Sequence, residues 1–441
     1  MITQILQATK GRRVWFAKAL LLDLLAAVWR RCMWRTTFIA ITGSFGKSTA
    51  NECLGAALGA RWPVVKTSRN RNGFDNICWV IFAVRPWHRF AVLEVGAERK
   101  GMLRHWARVI RPDIVVMVNV GGAHSLSFPT LDDVAEEKSQ LLKGLKRGGL
   151  AVLNGDNPRV AAMASAVRER GCNVAFFGSN PSFEVSGEIA KSHWPDRFSC
   201  KVRQAQRLTE CETQFVGPLW LPSVLAALTV AACVGVPIEE ACTAISKTPP
   251  IRARLQPVLL PNGAVILRDD TNSFFDAFKA SLAVLKEARC ERRIFVSDGF
   301  TESSLHARKR AVELGGLAGA SADVVVFFGQ TAKEACRAAV RHGITPENAH
   351  RFKTMREVAD FLETELRKGD LVLAKGRFDS HLARISFAQV AEVGCWISRC
   401  NKPIPCDRCE ELGVPQEVLD RYSPTTLFDQ RILSPAKVDV S

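Results

Sequence analysis

Apolar runs bounded by glycines, prolines or polar residues recur along most of the chain, and segments of helical composition separate them. In the first half these runs begin near Thr37, Phe90, Pro112 and Ala151, and each is apolar over nearly its whole length. Strands of this kind are typical of a parallel sheet that helices cover on both faces. The pattern therefore predicts an α/β fold with a mainly parallel sheet in this part of the chain.

The pattern changes further along the chain. Residues 180–215 are more polar and irregular, which favours a small antiparallel excursion, and a long helical stretch follows them. A second α/β unit begins at about residue 250, with strands predicted near Ala264, Arg293, Asp323 and Asp370. We therefore expect four regions: a basic amphipathic segment over 1–36, a first α/β domain over 37–249, a second over 250–390, and a cysteine-rich tail over 391–441.

One strand-to-helix connection has the composition of a phosphate-binding loop. Residues 41–49 read ITGSFGKST, in the short form G-x-x-G-K-S. Glycines let backbone N–H groups turn toward an anion, and the helix that follows adds its dipole. Lys47 is then expected to contact the β- and γ-phosphates, and the Ser48 hydroxyl to bind Mg²⁺. The alternative is a tight turn with a solvated lysine. The nucleotide-binding candidates in this loop are Gly43, Ser44, Gly46, Lys47, Ser48 and Thr49.

The charge of the chain points to an anionic partner. There are 60 Lys and Arg residues against 44 Asp and Glu, a net charge of +16. Such a balance suits a nucleotide, an acidic substrate, a membrane surface or a nucleic acid. No nucleic-acid-binding module is recognisable in the sequence, so we expect no nucleic acid among the partners.

The N-terminal segment concentrates part of that charge. Residues 10–35 contain seven Lys and Arg against one acid, Asp23, around a Leu/Ala-rich centre that is too short to span a bilayer. One interpretation is a helix packed on the domain that follows. The other is an interfacial helix with Trp15, Trp29 and Trp34 at the lipid headgroups and arginines on anionic lipid. The expected location is the cytoplasm, with the inner face of the membrane as the second interpretation.

The 14 cysteines are scattered, mostly within apolar stretches, which is typical of reduced thiols in a cytosolic protein. The tail is different, because four cysteines there are spaced for metal binding. One hypothesis is a structural Zn²⁺, and the alternative is unpaired thiols in a tail packed on the second domain. The cysteines concerned are Cys395, Cys400, Cys406 and Cys409.

Two further polar residues sit where metal ligands are expected, at the carboxyl ends of parallel strands. Glu94 ends the apolar run FAVLE, and His124 follows the strand that precedes NVGGAH. A carboxylate inside an apolar strand is costly unless it is paired or bound to a cation. The alternatives are a buried arginine partner for Glu94 and an ordinary loop role for His124.

Taken in order, these motifs resemble those of the Mur ligase superfamily, most closely its branch that adds D-Ala-D-Ala to a UDP-muramoyl tripeptide. The resemblance covers roughly residues 37–390. The motifs that carry it are ITGSFGKS, TSRNRN ending at Asn72, AVLEVGA around Glu94, RPDIVVMVNVGGAH ending at His124, EK at Lys138, VLNGDNP, IRAR ending at Arg254, RDDTN over 268–272, and AKGR around Lys375.

The resemblance implies an ATP-dependent carboxylate–amine ligase with a central ATP-binding domain and a Rossmann-like C-terminal domain. Such enzymes use ATP and Mg²⁺ to make an acyl phosphate, which an amino-acid or peptide amine then attacks. By resemblance Glu94 binds the first Mg²⁺ and His124 the second, and Lys138 falls where relatives carry an N-carbamoylated lysine. Asn72 belongs to the nucleotide-binding set.

The second domain continues the resemblance. Arg254 matches the arginine at the domain junction, and Lys375 matches the loop that closes over the acyl phosphate. Asp270 is the candidate for the ADP ribose and Asn272 for the base or phosphate region, in a motif shortened by one residue.

The sequence departs from the family in its first 36 residues, which leave no room for the usual N-terminal UDP-binding domain. The acceptor acid is therefore open. The alternatives are a polyglutamate-type ligase, an enzyme acting on lipid-linked muropeptides at the membrane surface, or a non-catalytic Mur-like subunit. A generic P-loop NTPase is disfavoured, because no strand of Walker B type precedes Glu94.

Overall fold

The computed structural model describes residues 19–67, 76–122, 127–271, 273–301, 303, 305–402 and 404–422. Two sheets organise these residues, and an N-terminal helix and a C-terminal tail pack around them.

The first sheet has nine strands: β1 (Thr37–Thr42), β2 (Val64–Lys66), β3 (Phe90–Glu94), β4 (Ile114–Met117), β5 (Leu150–Asn154), β6 (Asn173–Gly178), β7 (Val185–Lys191), β8 (Ser199–Gln204) and β9 (Arg207–Glu212). Their order is β2-β3-β1-β4-β5-β6-β7-β8-β9. The strands from β2 to β7 pair in parallel, and β7, β8 and β9 pair antiparallel. The loops after β1, β3 and β4 therefore meet at one edge of the sheet, which is where a ligand of an open parallel sheet binds.

Helices cover both faces of this sheet: α1 (19–32), α2 (Lys47–Gly59), α3 (Asn76–Ala83), α4 (Met102–Ile110), α5 (Leu131–Lys143), α6 (Pro158–Ala161), α7 (Ala164–Glu169), α8 (Leu221–Cys233) and α9 (Ile238–Ser246). Successive residues of β1 point to opposite faces. Ile39 and Ile41 enter the core beneath α2, α8 and α9. Phe38 and Ala40 enter the core beneath α3, α4 and α5. Burial on both faces explains why the strand is apolar throughout.

The second sheet has six strands: β10 (Gln256–Leu259), β11 (Val265–Arg268), β12 (Arg292–Ser297), β13 (Val324–Phe328), β14 (Ala349–Phe352) and β15 (Asp370–Ala374). Their order is β10-β11-β15-β12-β13-β14, and only β10 is antiparallel to its neighbour. The remaining helices are α10 (Phe275–Lys286), α11 (Ala307–Gly319), α12 (Ala332–Arg341), α13 (Met355–Glu365), α14 (Ala383–Ala388) and α15 (Gln416–Arg421).

The predicted α/β class, the mainly parallel sheets and the antiparallel excursion are confirmed. Four strands were not predicted. Three of them lack the apolar run of a central strand, whereas β6 contains one of four residues and was missed all the same. β2 has three residues, all half-buried, and β14 reads AHRF at an edge. β10 contains Pro257 and lies at the other edge, where proline is tolerated. β6 reads NVAFFG and begins with an exposed asparagine.

Helix α1 packs on the first domain, as the first of the two interpretations predicts. Arg30 is buried and forms an ion pair of 2.8 Å with Asp113. Placing Trp29 at a lipid interface is wrong, because its Nε1 donates to the Val84 carbonyl at 3.1 Å and its ring is partly buried in the core. Trp15 lies outside the described residues. None of the helices in the described part of the chain has the length and apolar character that a bilayer-spanning segment needs.

Candidate active site

The phosphate-loop candidate joins β1 to α2, as predicted. Gly46 precedes the helix with φ of 78°, and a Cβ there would lie 2.5 Å from the Ser223 hydroxyl oxygen, so only glycine fits without strain. No side chain caps the start of α2. The first N–H groups of a helix have no acceptor within it and attract anions. The Lys47 ammonium donates to the Gly43 carbonyl at 2.9 Å, across the loop.

Asn119, two residues after the end of β4, holds this loop in shape. Its Oδ1 accepts from the N–H groups of Ser44 and Phe45 at 2.9 and 3.0 Å, and its Nδ2 donates to the Phe45 carbonyl at 3.0 Å. The Ser44 hydroxyl also donates to the Gly121 carbonyl at 2.8 Å. Asn119 was not predicted as a site residue. The only signal for it was a polar residue ending an apolar strand.

Replacing Asn119 by alanine is expected to weaken nucleotide binding. The side chain makes three hydrogen bonds to the loop, each contributing roughly 1 kcal/mol. Without them the loop must be ordered when ATP binds, so the Kd for ATP should rise about tenfold or more. The check is the Kd for ATP by calorimetry. Asn154→Ala is the matched control, because that buried amide donates to the Val118 carbonyl and not to the loop. Equal Kd values for both variants would contradict this role of Asn119.

Ser48 is contacted from both domains. Its hydroxyl lies 3.1 Å from Glu94 Oε1 of β3, and Arg254 Nη2, from the start of the second domain, donates to it at 3.2 Å. The backbone N–H of Glu94 donates in turn to the Thr67 hydroxyl at 2.9 Å, which fixes the end of β3. Glu94, 46 positions after Ser48, and Arg254, 206 positions after it, thus meet at the first turn of α2.

The pair of oxygens on Ser48 and Glu94 fits a magnesium ion. Ligands at 2.0–2.1 Å on adjacent corners of an octahedron are roughly 2.9 Å apart, close to the 3.1 Å observed between these atoms. Both groups are hard oxygen donors of the kind that Mg²⁺ prefers. The half-buried position of Glu94 leaves the carboxylate accessible to a bound ion.

Lys138 of α5 is buried close to the phosphate loop. Burial lowers the pKa of its ammonium well below the usual range, the positive charge of Lys47 acts in the same direction, and Glu137 opposes them. Glu137 itself has a structural role, because its carboxylate accepts from the N–H groups of Gly101 and Leu103 at 2.7 and 2.8 Å. These bonds hold the start of α4 and account for the buried acid beside the lysine.

Lys375 lies fully buried after β15 in the second domain. Its Nζ donates to Asp269 Oδ2 at 2.6 Å and lies 5.0 Å from the centre of the Phe278 ring. Burial lowers the pKa of Lys375, and the nearby charge of Arg254 contributes to the lowering, whereas Asp269 opposes it. Lys375, which the resemblance places in the loop over the acyl phosphate, therefore forms an ion pair with Asp269 that the sequence did not predict.

The loop around Lys375 is anchored by Asp298, which follows β12. Asp298 accepts from the N–H and the Nε of Arg377 at 3.0 and 2.9 Å. A Cβ at Gly376 would lie 2.3 Å from Asp298 Oδ1, so glycine allows this close approach. These contacts give Asp298 a positioning role for the loop around Lys375.

Asp270, the predicted ribose contact, lies at the end of β11 and is largely buried. Its Oδ2 accepts from the Ala383 N–H at 3.2 Å, and its Oδ1 lies 3.6 Å from Arg268 Nε. Asn72, His124 and Asn272 lie outside the described residues, and their roles stay predictions.

The predicted zinc site in the tail is not supported. In the ranges that the structure describes, which include all four cysteines, no group of three or more His, Cys, Asp or Glu is placed to hold a metal ion. Cys406 instead packs in a small apolar cluster and contacts His381 Nδ1 at 3.5 Å, and burial raises the pKa of its thiol to about 12. Cys395 lies 3.8 Å from Arg384 Nη1. The packing of Cys406 fits the alternative given in the sequence analysis for Cys395, Cys400, Cys406 and Cys409, which is a tail packed on the second domain.

Comparison with known proteins agrees with this geometry. Residues 41–231 match the family model for the Mur ligase middle domain, and residues 253–378 match the model for the Mur ligase glutamate ligase domain. The chain is 27% identical over 384 residues to the UDP-N-acetylmuramoyl-tripeptide–D-alanyl-D-alanine ligase of Mycobacterium tuberculosis, covering 81% of this chain and 74% of that one.

Two crystal structures share the fold. MurF from Acinetobacter baumannii superposes with a TM-score of 0.75 at 23% identity, covering 84% of this chain and 80% of that one. The MurF ligase of Thermotoga maritima, solved in complex with ADP, gives 0.69 at 24% identity and 83% coverage of each chain.

The phosphate loop in a parallel sheet, met by an arginine from a second α/β domain, and the matches to both ligase domains together identify an ATP-dependent ligase. The chain belongs to the Mur ligase family, whose middle and C-terminal domains both match it.

Proposed function

We propose that the chain joins the carboxylate of a muramoyl-tripeptide acid to the amino group of D-alanyl-D-alanine, through an acyl phosphate. The observation that carries the proposal is the meeting of Glu94 and Arg254 on the Ser48 hydroxyl, at the uncapped start of α2. The choice of substrates is supported by the relatives that match about four-fifths of the chain, which are named as D-alanyl-D-alanine ligases of UDP-N-acetylmuramoyl-tripeptide.

The phosphoryl transfer needs positive charge and positioning more than a protein nucleophile. In the proposed first step a carboxylate oxygen of the acid attacks the γ-phosphorus of ATP, the bond to the β-phosphate oxygen breaks, and ADP leaves. Lys47, which donates across the loop to the Gly43 carbonyl, and Arg254, which donates to the Ser48 hydroxyl, are the cations proposed to stabilise the charge on the transferred group. The N–H groups that begin α2 hold the polyphosphate.

The second step is attack of the amine nitrogen on the acyl carbon. The amide bond forms, inorganic phosphate leaves with the bonding electron pair, and the nitrogen loses one proton. Lys375 and Arg254 from the second domain are the proposed contacts of the acyl phosphate by resemblance, and contact by Lys375 would require its ion pair with Asp269 to open. When bound, Mg²⁺ would lie between Ser48 and Glu94 and neutralise phosphate charge there.

Lys138 remains a predicted ligand of a second ion through its carbamate. Carbamate formation joins the uncharged amine nitrogen to the carbon of CO₂ and releases one proton. The burial that lowers the pKa of Lys138 favours this uncharged amine, which supports the prediction.

The experiment is to measure ADP release by the purified full chain with UDP-muramoyl-tripeptide and D-alanyl-D-alanine, alone and together. We expect ADP release only when both substrates are present, and a product with the combined mass of both less one water. ADP release that needs no amine would instead indicate an NTPase. Release with glutamate oligomers in place of the tripeptide would favour the polyglutamate-type alternative, and nucleotide binding without turnover would favour a non-catalytic subunit.

A further inference from the structure

The outward side of α1 carries an unusual set of exposed apolar residues. They recur at the spacing of one helix face, and each is 49–68% exposed. We call this set the outer stripe: Leu20, Leu21, Leu24, Leu25 and Val28. The opposite side of the helix is already packed, with Ala26 in the core and Asp23 within 2.9 Å of His105 Nε2. The outer stripe is therefore not the side that holds α1 on the domain.

Exposed tryptophans and arginines form a second surface near the end of α1, where Trp34 and Arg35 follow the helix in the chain. Trp34 and Trp87 are 73% and 68% exposed. With Arg35 and Arg89 they line a cleft of about 550 Å³, which we call the tryptophan cleft. Asp113 also lines it, but its carboxylate is already paired with Arg30 and Lys146. An aromatic ring with a polar edge beside a guanidinium suits the headgroup region of a lipid bilayer.

The charge around the outer stripe has one sign. Residues 19–35 and 76–89 contain a single acid, Asp23, and it is buried. The exposed cations on these segments are all arginines: Arg31, Arg35, Arg85 and Arg89. An apolar stripe bordered by cations, without exposed acids on the same segments, is complementary to an anionic surface with an apolar interior.

We propose that the outer stripe and the tryptophan cleft dock the protein on an anionic lipid bilayer, with the leucines in the acyl region and the arginines on lipid phosphates. A second copy of the chain is disfavoured as the occupant, because a two-fold interface brings the same patch onto itself and would set arginine against arginine. A bilayer provides acyl chains for the leucines and phosphates for the arginines at the same time.

The position of this surface leaves the nucleotide loop free. The tryptophan cleft lies where β1 begins, and the phosphate loop follows the end of β1. Six residues of extended strand place these two ends roughly 20 Å apart. A protein docked through the cleft therefore keeps the loop open to ATP, and the docking does not depend on which acid the enzyme uses.

The test is sedimentation of the full chain with vesicles of phosphatidylcholine alone or mixed with phosphatidylglycerol. We expect binding to the anionic vesicles that weakens with salt, and little binding to the neutral ones. Arg35→Gln with Arg89→Gln should reduce the affinity about 25-fold, since each cation near the surface contributes about fivefold. Leu21→Gln with Leu24→Gln should reduce it at least about tenfold.

Leu208→Gln is the matched control, because Leu208 is 59% exposed, like Leu24 at 61%, but belongs to β9 at the far end of the sheet. All replaced side chains are exposed, so thermal unfolding should hardly change, and it is measured to check this. The proposal is overturned if anionic vesicles are not bound, or if the leucine variants bind them as the control does. A dimer by light scattering that Leu24→Gln dissociates, without vesicle binding, would assign the outer stripe to self-association.

Discussion

Replacing Lys47 by alanine is expected to lower amine-dependent ADP release by at least about 100-fold. The ammonium already bridges the phosphate loop to the Gly43 carbonyl, next to the serine that both domains contact. Removing a cation aimed at the transferred phosphoryl group takes away stabilisation of the transition state, and losses of about 10²–10³ are typical for such groups. The measurement is the steady-state rate of ADP release with both substrates at saturation.

The matched control is Lys143→Ala, which removes the same charge from an exposed position on α5. Its rate should equal that of the unaltered chain, and both variants should unfold at similar temperatures. If Lys47→Ala kept amine-dependent ADP release within about threefold of the control, the loop could not act on the phosphates as its placement suggests.

The phosphate loop and the central strands could be predicted because their signals are local. A glycine at positive φ, a lysine and a serine at the start of a helix stand within six residues of each other. A strand buried on both faces is apolar without interruption, as Phe38, Ile39, Ala40 and Ile41 show. The edge strands β2 and β14 lack this signal because they are only partly buried. β10 lacks it because it begins with Gln256 and Pro257, so all three were missed.

The groups that position the site could not be predicted, because each acts on a residue far away in the sequence. Asn119 binds loop atoms 74 and 75 positions earlier, and Asp298 binds Arg377 at a separation of 79. Asp269 is one of two adjacent acids in RDDTN, and the sequence does not distinguish which one pairs with Lys375. Such contacts depend on strand order, which a single sequence does not reveal.

The contact that attaches the tail to the second domain could not be predicted either. The cysteine spacing suggested four zinc ligands, whereas the attachment is made by the residue after Cys406. Asp407, beside Cys406, accepts from Arg268 Nη1 and Nη2 at 3.0 and 3.1 Å, and Arg252 Nε lies 3.3 Å from it. Arg268 ends β11, next to Asp270, so the tail is attached to the strand end that carries the candidate nucleotide contacts.

Replacing Asp407 by asparagine is expected to lower the free energy of unfolding by roughly 3 kcal/mol, because removing one partner of a buried pair leaves the other charge uncompensated. Arg268 is 2% exposed and keeps only the longer contact to Asp270. The check is urea unfolding at neutral pH. Glu417→Gln, on an exposed position of the tail helix α15, serves as the control and should change stability by less than about 0.5 kcal/mol.

The pH dependence provides an independent test of the same pair. Burial alone would raise the pKa of Asp407, but the charge of Arg268 outweighs burial and the pKa lies below its usual value. A carboxyl group with a depressed folded-state pKa stabilises the fold above its unfolded pKa of about 4 and loses that contribution as the pH falls through the folded value. The gap in stability between the unaltered chain and Asp407→Asn should therefore be full at neutral pH and shrink below about pH 4. A gap that stayed constant down to the acid transition would mean that the loss comes from packing and not from the charge of Asp407.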